Sequence, residues 1–229
     1  MDGADRISLS GFRLWFVLLC FGIGIQTTSA QTSLDVEPGL KIPDAKTPWA
    51  VDVFEGQREL VPIHHSMVSL NKHTGSNVAG SLAGSFFYKP KLTTELDGLN
   101  SRNQLHTNKP AIYVLVEVDQ DAAGQGKSDE MYDFVIAKAE QTKNNKRVVD
   151  RLAYTQLTGH AKRGDNFVET EITRMKDGWF LIQPKAPMPE GEYVLLPVPK
   201  MNGTFSTTVW DFGINLKASN AKDAILATK

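Results

Sequence analysis

The chain has a single cysteine, Cys20, and from Gln31 onward it has none. That excludes disulfides, a thiol nucleophile and any cysteine-ligated zinc or iron–sulfur site from the body of the protein. Charge of one sign is lacking too: 25 Lys and Arg stand against 26 Asp and Glu, a net charge of −1. The basic residues are dispersed, densest from Lys143 to Arg147, where a hairpin tip is expected. A balanced surface offers no field for nucleic acid or an anionic membrane, so neither is expected as a partner. Long apolar runs are also missing. Leu14 to Ile25 falls well short of the roughly 20 residues a spanning helix needs, so no stable membrane span is expected in the mature chain.

That short run has a different meaning. Arg6 and Arg13 precede it, and polar Gln26-Thr27-Thr28-Ser29-Ala30 follows, with small residues at Thr28 and Ala30. This is the three-part layout of a cleavable signal peptide over residues 1–30, cut near Ala30. A lipid anchor on Cys20 would want a small residue before it, where Leu19 stands. The expectation is a periplasmic or extracellular protein. The absence of disulfides in an exported chain tilts its source toward a bacterium.

Residues 31–48 hold three prolines and little apolar periodicity, and read as a polar tether. From Trp49 the pattern turns to period two with regular turn signals. Strands are expected at 49–54, at 60–70 with a break at Pro62, and at 111–118, a continuous β-branched and aromatic run. A hairpin is expected from 131–140 and 147–154, and further strands at 167–173, after Asp177-Gly178, after Glu190-Gly191 and at 207–214. Residues 74–85 and 91–110 read as irregular connections, and 216–229 as a tail that frays or forms a short helix. About nine strands without alternating helices point to an all-β protein. The expected form is a single antiparallel β-sandwich over 49–215, Ig-like or similar, with a barrel as the open alternative.

In the C-terminal third, Pro187-Met188-Pro189-Glu190-Gly191-Glu192-Tyr193-Val194-Leu195 precedes Asp211-Phe212-Gly213-Ile214. This resembles uncharacterised exported bacterial β-sandwich proteins, in which a strand of the form "pGEYxL" precedes a closing strand ending in an aromatic and glycine. The resemblance covers roughly residues 130–215; Glu190 stands where that pattern more often has proline. It implies a β-sandwich at the envelope and brings no catalytic residues.

The chemical motifs each fall short of a site. Asp119, Asp121, Gly124 and Glu130 match positions 1, 3, 6 and 12 of a calcium loop, but position 5 is Ala123 and a strand precedes it, so the Asp119–Glu130 loop is an open metal candidate. Gly126-Lys127-Ser128 echoes a phosphate loop, with Asp121 where its first glycine should be. Glu169 and Glu171 share one face of a strand about 6.5–7 Å apart, the reach of an inverting glycosidase pair, yet on the solvent side. The five histidines include no His-x-His or His-x-x-x-His pair, and His64 and His65 point to opposite faces. Gly80-Ser81-Leu82-Ala83-Gly84 misplaces the serine of a nucleophile elbow. Trp49, Trp179 and Trp210 sit in apolar strands and are expected in the core. Asn202-Gly203-Thr204 is a formal glycosylation sequon.

With no convergent polar site, no catalytic residue and no cofactor is assigned. The expectation is a non-enzymatic binding or structural module of the cell envelope whose partner is an envelope protein or polysaccharide. The alternative is a carbohydrate-active hydrolase using Glu169 or Glu171.

Overall fold

The computed structural model describes residues 33–73, 91–116, 132–154, 161–163, 166–199 and 208–228. In chain order the strands are β1 (Leu34–Glu37), β2 (Leu40–Ile42), β3 (Trp49–Phe54), β4 (Gln57–Pro62), β5 (His65–Met67), β6 (Ser69–Asn71), β7 (Lys91–Asp97), β8 (Gln104–Leu105) and β9 (Ala111–Leu115). There follow β10 (Tyr132–Gln141), β11 (Lys146–Tyr154), β12 (Ala161–Arg163), β13 (Phe167–Val168), β14 (Thr170–Arg174), β15 (Trp179–Pro184), β16 (Gly191–Pro199), β17 (Thr208–Ile214) and β18 (Ile225–Leu226). Among the described residues the only helical element is a 3₁₀ turn at Lys176–Gly178. The fold is all-β and antiparallel, with one parallel pairing between β17 and β8.

Two sheets face each other. A six-stranded sheet runs β14-β15-β9-β3-β4-β18, and a ten-stranded one runs β5-β17-β16-β10-β11-β7-β6, with β8, β12 and β13 alongside. Between them lies the main core, where Ala50, Val61, Ile112, Val114 and Ile182 of the first sheet meet Phe134, Ile136, Tyr193, Leu195, Phe212 and Ile214 of the second. Burying each large side chain is worth about 1.5–3 kcal/mol. The arrangement is sandwich-like, and strands change sheets at its corners. Phe167 and Val168 pair with β10, whereas Thr170 onward pairs with β15. The expected break at Pro62 is another such corner: β4 ends in one sheet and β5 begins in the other.

The alternating side chains of β10 and β16 are buried on both faces. Ala137, Ala139, Val194 and Leu196 point away from the main core into a second cluster with Leu96 and Val149 of β7 and β11. The ten-stranded sheet therefore curls back on itself. Near its turn, β10 pairs with β11 at Glu140↔Val148 and Gln141↔Arg147. Further along, the amide of Asn166 donates to the carbonyl oxygens of both Lys138 and Val149, at 2.8 and 2.9 Å.

Three segments differ from the sequence expectation. Residues 31–48, expected as a tether, contain the β1–β2 hairpin, whose Leu40 and Ile42 are buried against Trp49, Val51, Leu60 and Trp179. Leu40 and Ile42, two residues apart, are the period-two signal in that proline-containing stretch. Residues 91–110, expected as irregular, carry β7 and β8. The polar residues Thr93, Thr94 and Glu95 hid β7 because they are buried, and Glu95 takes hydrogen bonds from Asn71 and Thr93. The tail at 216–229 forms no helix through residue 228. Ile225 and Leu226 pair with Leu60 and Glu59, covering the outer edge of β4, and Thr228 N–H donates to Gly39. Both ends of the described body thus close the fold.

Candidate functional site

Hairpin chemistry places the first cluster of interest. Glu55 and Gly56 both have positive φ, +49° and +80°, the signature of a two-residue type I′ turn, for which glycine is favoured. Such a turn fixes the register Phe54↔Gln57, Val53↔Arg58 and Asp52↔Glu59. Two carboxylates therefore stand directly opposite each other, on the face that one pair earlier carries Ala50 and Val61 into the core. Asp52 and Glu59 are both fully buried.

His106, just past β8, packs its ring on Phe54 at 4.6 Å and reaches this pair. Asp52 accepts from the backbone N–H groups of His106 and Thr107 at 2.8–2.9 Å, and its Oδ2 lies 2.9 Å from His106 Nδ1. His106 Nε2 is 3.0 Å from the carbonyl oxygen of Ala218, so Nε2 is the donor there. Glu59 Oε2 accepts from the Asn220 amide at 2.8 Å, while Glu59 Oε1 and Asn220 Oδ1 are buried without any hydrogen-bond partner. Burial, with Asp52 adding to it, pushes the Glu59 carboxyl above its ordinary range against the pull of Asn220 and His106. One ligand atom each from Asp52, Glu59 and His106 lie within 4.8 Å of one another, a set of one nitrogen and two oxygens that suits a metal ion.

A second buried cluster ties the ten-stranded sheet together. Arg147 of β11 donates to Glu192 of β16 at 3.2 Å and to Asp211 of β17 at 2.8 Å. Glu192 also takes the Ser101 N–H at 2.6 Å and the Gln104 amide at 3.1 Å, and Asp211 takes the Ser66 hydroxyl. Gln104 lies flat over Gly213, where a Cβ would stand 2.0 Å from its side-chain oxygen. Glu192 and Asp211 are polar positions of the Pro187–Ile214 pattern, and here Arg147 ties them into a closed ion-pair network beside Gly213.

On the surface, a cleft of about 670 Å³ opens between β10, β13 and the 185–189 loop, within the usual range for ligand sites. Phe167, Val168, Pro187, Met188, Pro189 and Tyr193 give it an apolar wall. The Tyr193 hydroxyl donates to Pro189 at 2.8 Å, and burial pushes its pKa up. Of the charged groups, Glu140 pairs with Arg151 at 2.5 Å and Glu169 lies 3.8 Å from Lys185. Lys138, shared with an adjoining polar cleft of about 710 Å³ beside Gln104 and Glu192, forms no ion pair among the described residues.

The sequence-predicted groups fall as follows. Glu169 lines the cleft but is 86% exposed, and Glu171 is exposed on β14 outside the lining, so the two do not converge. Trp49 and Trp179 are buried, and Trp210 packs on the main core. His64 pairs with Asp223 at 2.6 Å, His65 is exposed, and His73 lies 2.8 Å from Thr93 Oγ1. Arg147, expected at a solvated tip, is 3% exposed because it balances two buried carboxylates. The Asp119–Glu130 loop, Gly80–Gly84, Gly126–Ser128, His160 and the Asn202 sequon lie outside the described residues. Sequence reasoning missed Asp52, Glu59 and His106, although the Glu55-Gly56 turn, with the second strand begun at Gln57, sets the first two opposite each other.

Comparison of the chain with protein-family models, with curated proteins and with solved structures returned no match. No described helix is long and apolar enough to cross a membrane.

Proposed function

We propose that this protein is a non-catalytic binding module of the cell envelope, exported by cleavage near Ala30, with the β10–β13 cleft as its binding face. One observation carries the reading: the cleft joins an apolar wall to a lysine, Lys138, that has no ion pair among the described residues, while its carboxylates are held by Arg151 and Lys185. A pre-formed concavity of this kind favours a ligand segment with an apolar body and an acidic group, as an envelope protein would present. The sandwich supplies the rigid support, since Val168 and Tyr193 anchor the wall to the main core.

The hydrolase alternative draws on Glu169 beside Phe167 in the cleft wall. Its second carboxylate is in question, because Glu140 in the same cleft is paired with Arg151 and Glu171 lies outside the lining.

The test is capture from envelope extract with the wild type and the exposed-residue variants Lys138→Glu and Phe167→Asp. A partner retained by the wild type and lost by both variants, each still folded by circular dichroism, supports the reading. Equal capture by all three overturns it. Any glycan turnover abolished in Glu169→Gln would favour the hydrolase instead.

A further inference from the structure

The β3–β4 hairpin carries a feature that a sheet does not need. Like charges directly opposite each other on adjacent strands disfavour pairing, and the next pair along the same face, Ala50 and Val61, shows that apolar residues fill such positions well. Burying two carboxylates is worse still unless each oxygen is satisfied. Yet Glu59 Oε1 has no partner, nor has Asn220 Oδ1, whose amide nitrogen is bonded to the same carboxylate. Two orphaned oxygens in one buried place leave room for a donor, a proton or a cation.

The imidazole supplies the second argument. His106 donates from Nε2 to the Ala218 carbonyl, which leaves Nδ1 facing Asp52 Oδ2 at 2.9 Å. A ring nitrogen fixed by a backbone carbonyl on its far side is the usual posture of a metal-ligating histidine. Its near side meets a carboxylate oxygen, so a cation or a proton belongs between the two acceptors. Asp52 in turn is held by the N–H groups of His106 and Thr107, which orient it before any ligand arrives.

We propose that Asp52, Glu59 and His106 form a binding site for one divalent metal ion of the zinc class, with the Asn220 amide bonded to Glu59 at its edge. The donor set selects the ion. Calcium takes six to eight oxygens, and magnesium keeps several waters in an octahedral shell. One imidazole and two carboxylates suit zinc or a neighbouring transition ion in four-coordinate geometry. Bonds of about 2.0–2.2 Å set tetrahedral ligands roughly 3.4 Å apart. The three ligand atoms already lie within 4.8 Å of one another, so the tetrahedral spacing is a matter of side-chain adjustment. Two carboxylates against one dication also leave the buried cluster neutral. The site joins the β3–β4 hairpin to the segment after β8 and to the 218–220 turn, so the ion would staple the C-terminal segment to the six-stranded sheet.

The experiment uses the purified full chain stripped with a chelator. Thermal melts with zinc, manganese or calcium are paired with native mass spectrometry and repeated on Glu59→Gln and His106→Gln. The expected result is one zinc per chain and a midpoint raised by roughly 5–10 °C at a hundredfold excess over Kd. Glu59→Gln keeps the polar shape without the charge, so its metal-free melt serves as the folding control. Loss of the zinc shift in that variant, with a metal-free melt no lower than that of the wild type, establishes the site. No bound metal in the wild type overturns the proposal. So does a zinc shift that survives in Glu59→Gln, or a shift given by calcium alone and untouched by Glu59→Gln, which would point to the Asp119–Glu130 loop.

Discussion

The two buried polar clusters are built from similar parts and finished differently. Around Arg147, both oxygens of Glu192 and both oxygens of Asp211 meet donors from the guanidinium, a backbone N–H, a glutamine and a serine. Around His106, Asp52 is saturated but Glu59 keeps a bare oxygen, and the neighbouring Asn220 keeps another. A closed cluster holds strands in place; an open one, equally buried, leaves coordination unspent. The metal proposal rests on this contrast: around Arg147 the same chain satisfies its buried carboxylates completely.

Several substitutions would break or sharpen this contrast. The largest effect is expected for Arg147→Met, which strands Glu192 and Asp211 as uncompensated buried charges. A loss of about 3–5 kcal/mol should appear as a lower urea midpoint. Next comes Gly213→Ala, whose methyl group must push aside the Gln104 amide and so uncouple it from Glu192. That should cost about 1–3 kcal/mol, and Gln104→Ala in the same background should recover part of it by removing the clash.

Glu59→Gln should behave oppositely in metal-free buffer. Because the Glu59 pKa is raised in the folded state, the stability it contributes is complete below the ordinary carboxyl value of 4.5 and is lost as pH rises through the folded value. The glutamine variant escapes that loss. The difference between variant and wild type should therefore grow in the variant's favour as pH rises above 4.5, read by urea midpoints across pH.

Asp223 has the reverse sign. Burial alone would raise it, but hydrogen bonds from His64 and Asn103 hold its carboxyl below the ordinary range. Its stabilising share is present above 3.8 and fades as pH falls through the folded value; hydrogen exchange at 218–228 should rise there first. The smallest effect belongs to Glu140→Gln. Its half-exposed pair with Arg151 should matter by about 0.2–1 kcal/mol at most.

Much of the fold could be read from residue alternation and turn dipeptides. β3, β9, the β10–β11 hairpin, β16 and β17 follow from β-branched and aromatic runs bounded by turns. Where the reading failed, polarity had been equated with exposure. Thr93, Thr94 and Glu95 are buried in β7, and Leu40 and Ile42 are buried within a proline-containing stretch. The candidate metal site was hidden by the same equation and by boundaries. Glu59 lies just before the expected second strand, and His106 lies in a segment whose sequence reads as irregular. No local spacing connects residues 52, 59 and 106, since only the hairpin register and the crossing of the segment after β8 bring them together. In the Pro187–Ile214 pattern, the turn-to-strand reading of Glu190-Gly191 matched β16, but nothing local could show that Glu192 and Asp211 share Arg147.

The most direct test of the contrast is a pair of urea unfolding curves in metal-free buffer at neutral pH, for Arg147→Met and Glu59→Gln against the wild type. The account predicts a loss of several kcal/mol for the first and none for the second. A Glu59→Gln midpoint as low as that of Arg147→Met would contradict it, because Glu59 would then be a structural tie like the carboxylates that Arg147 holds.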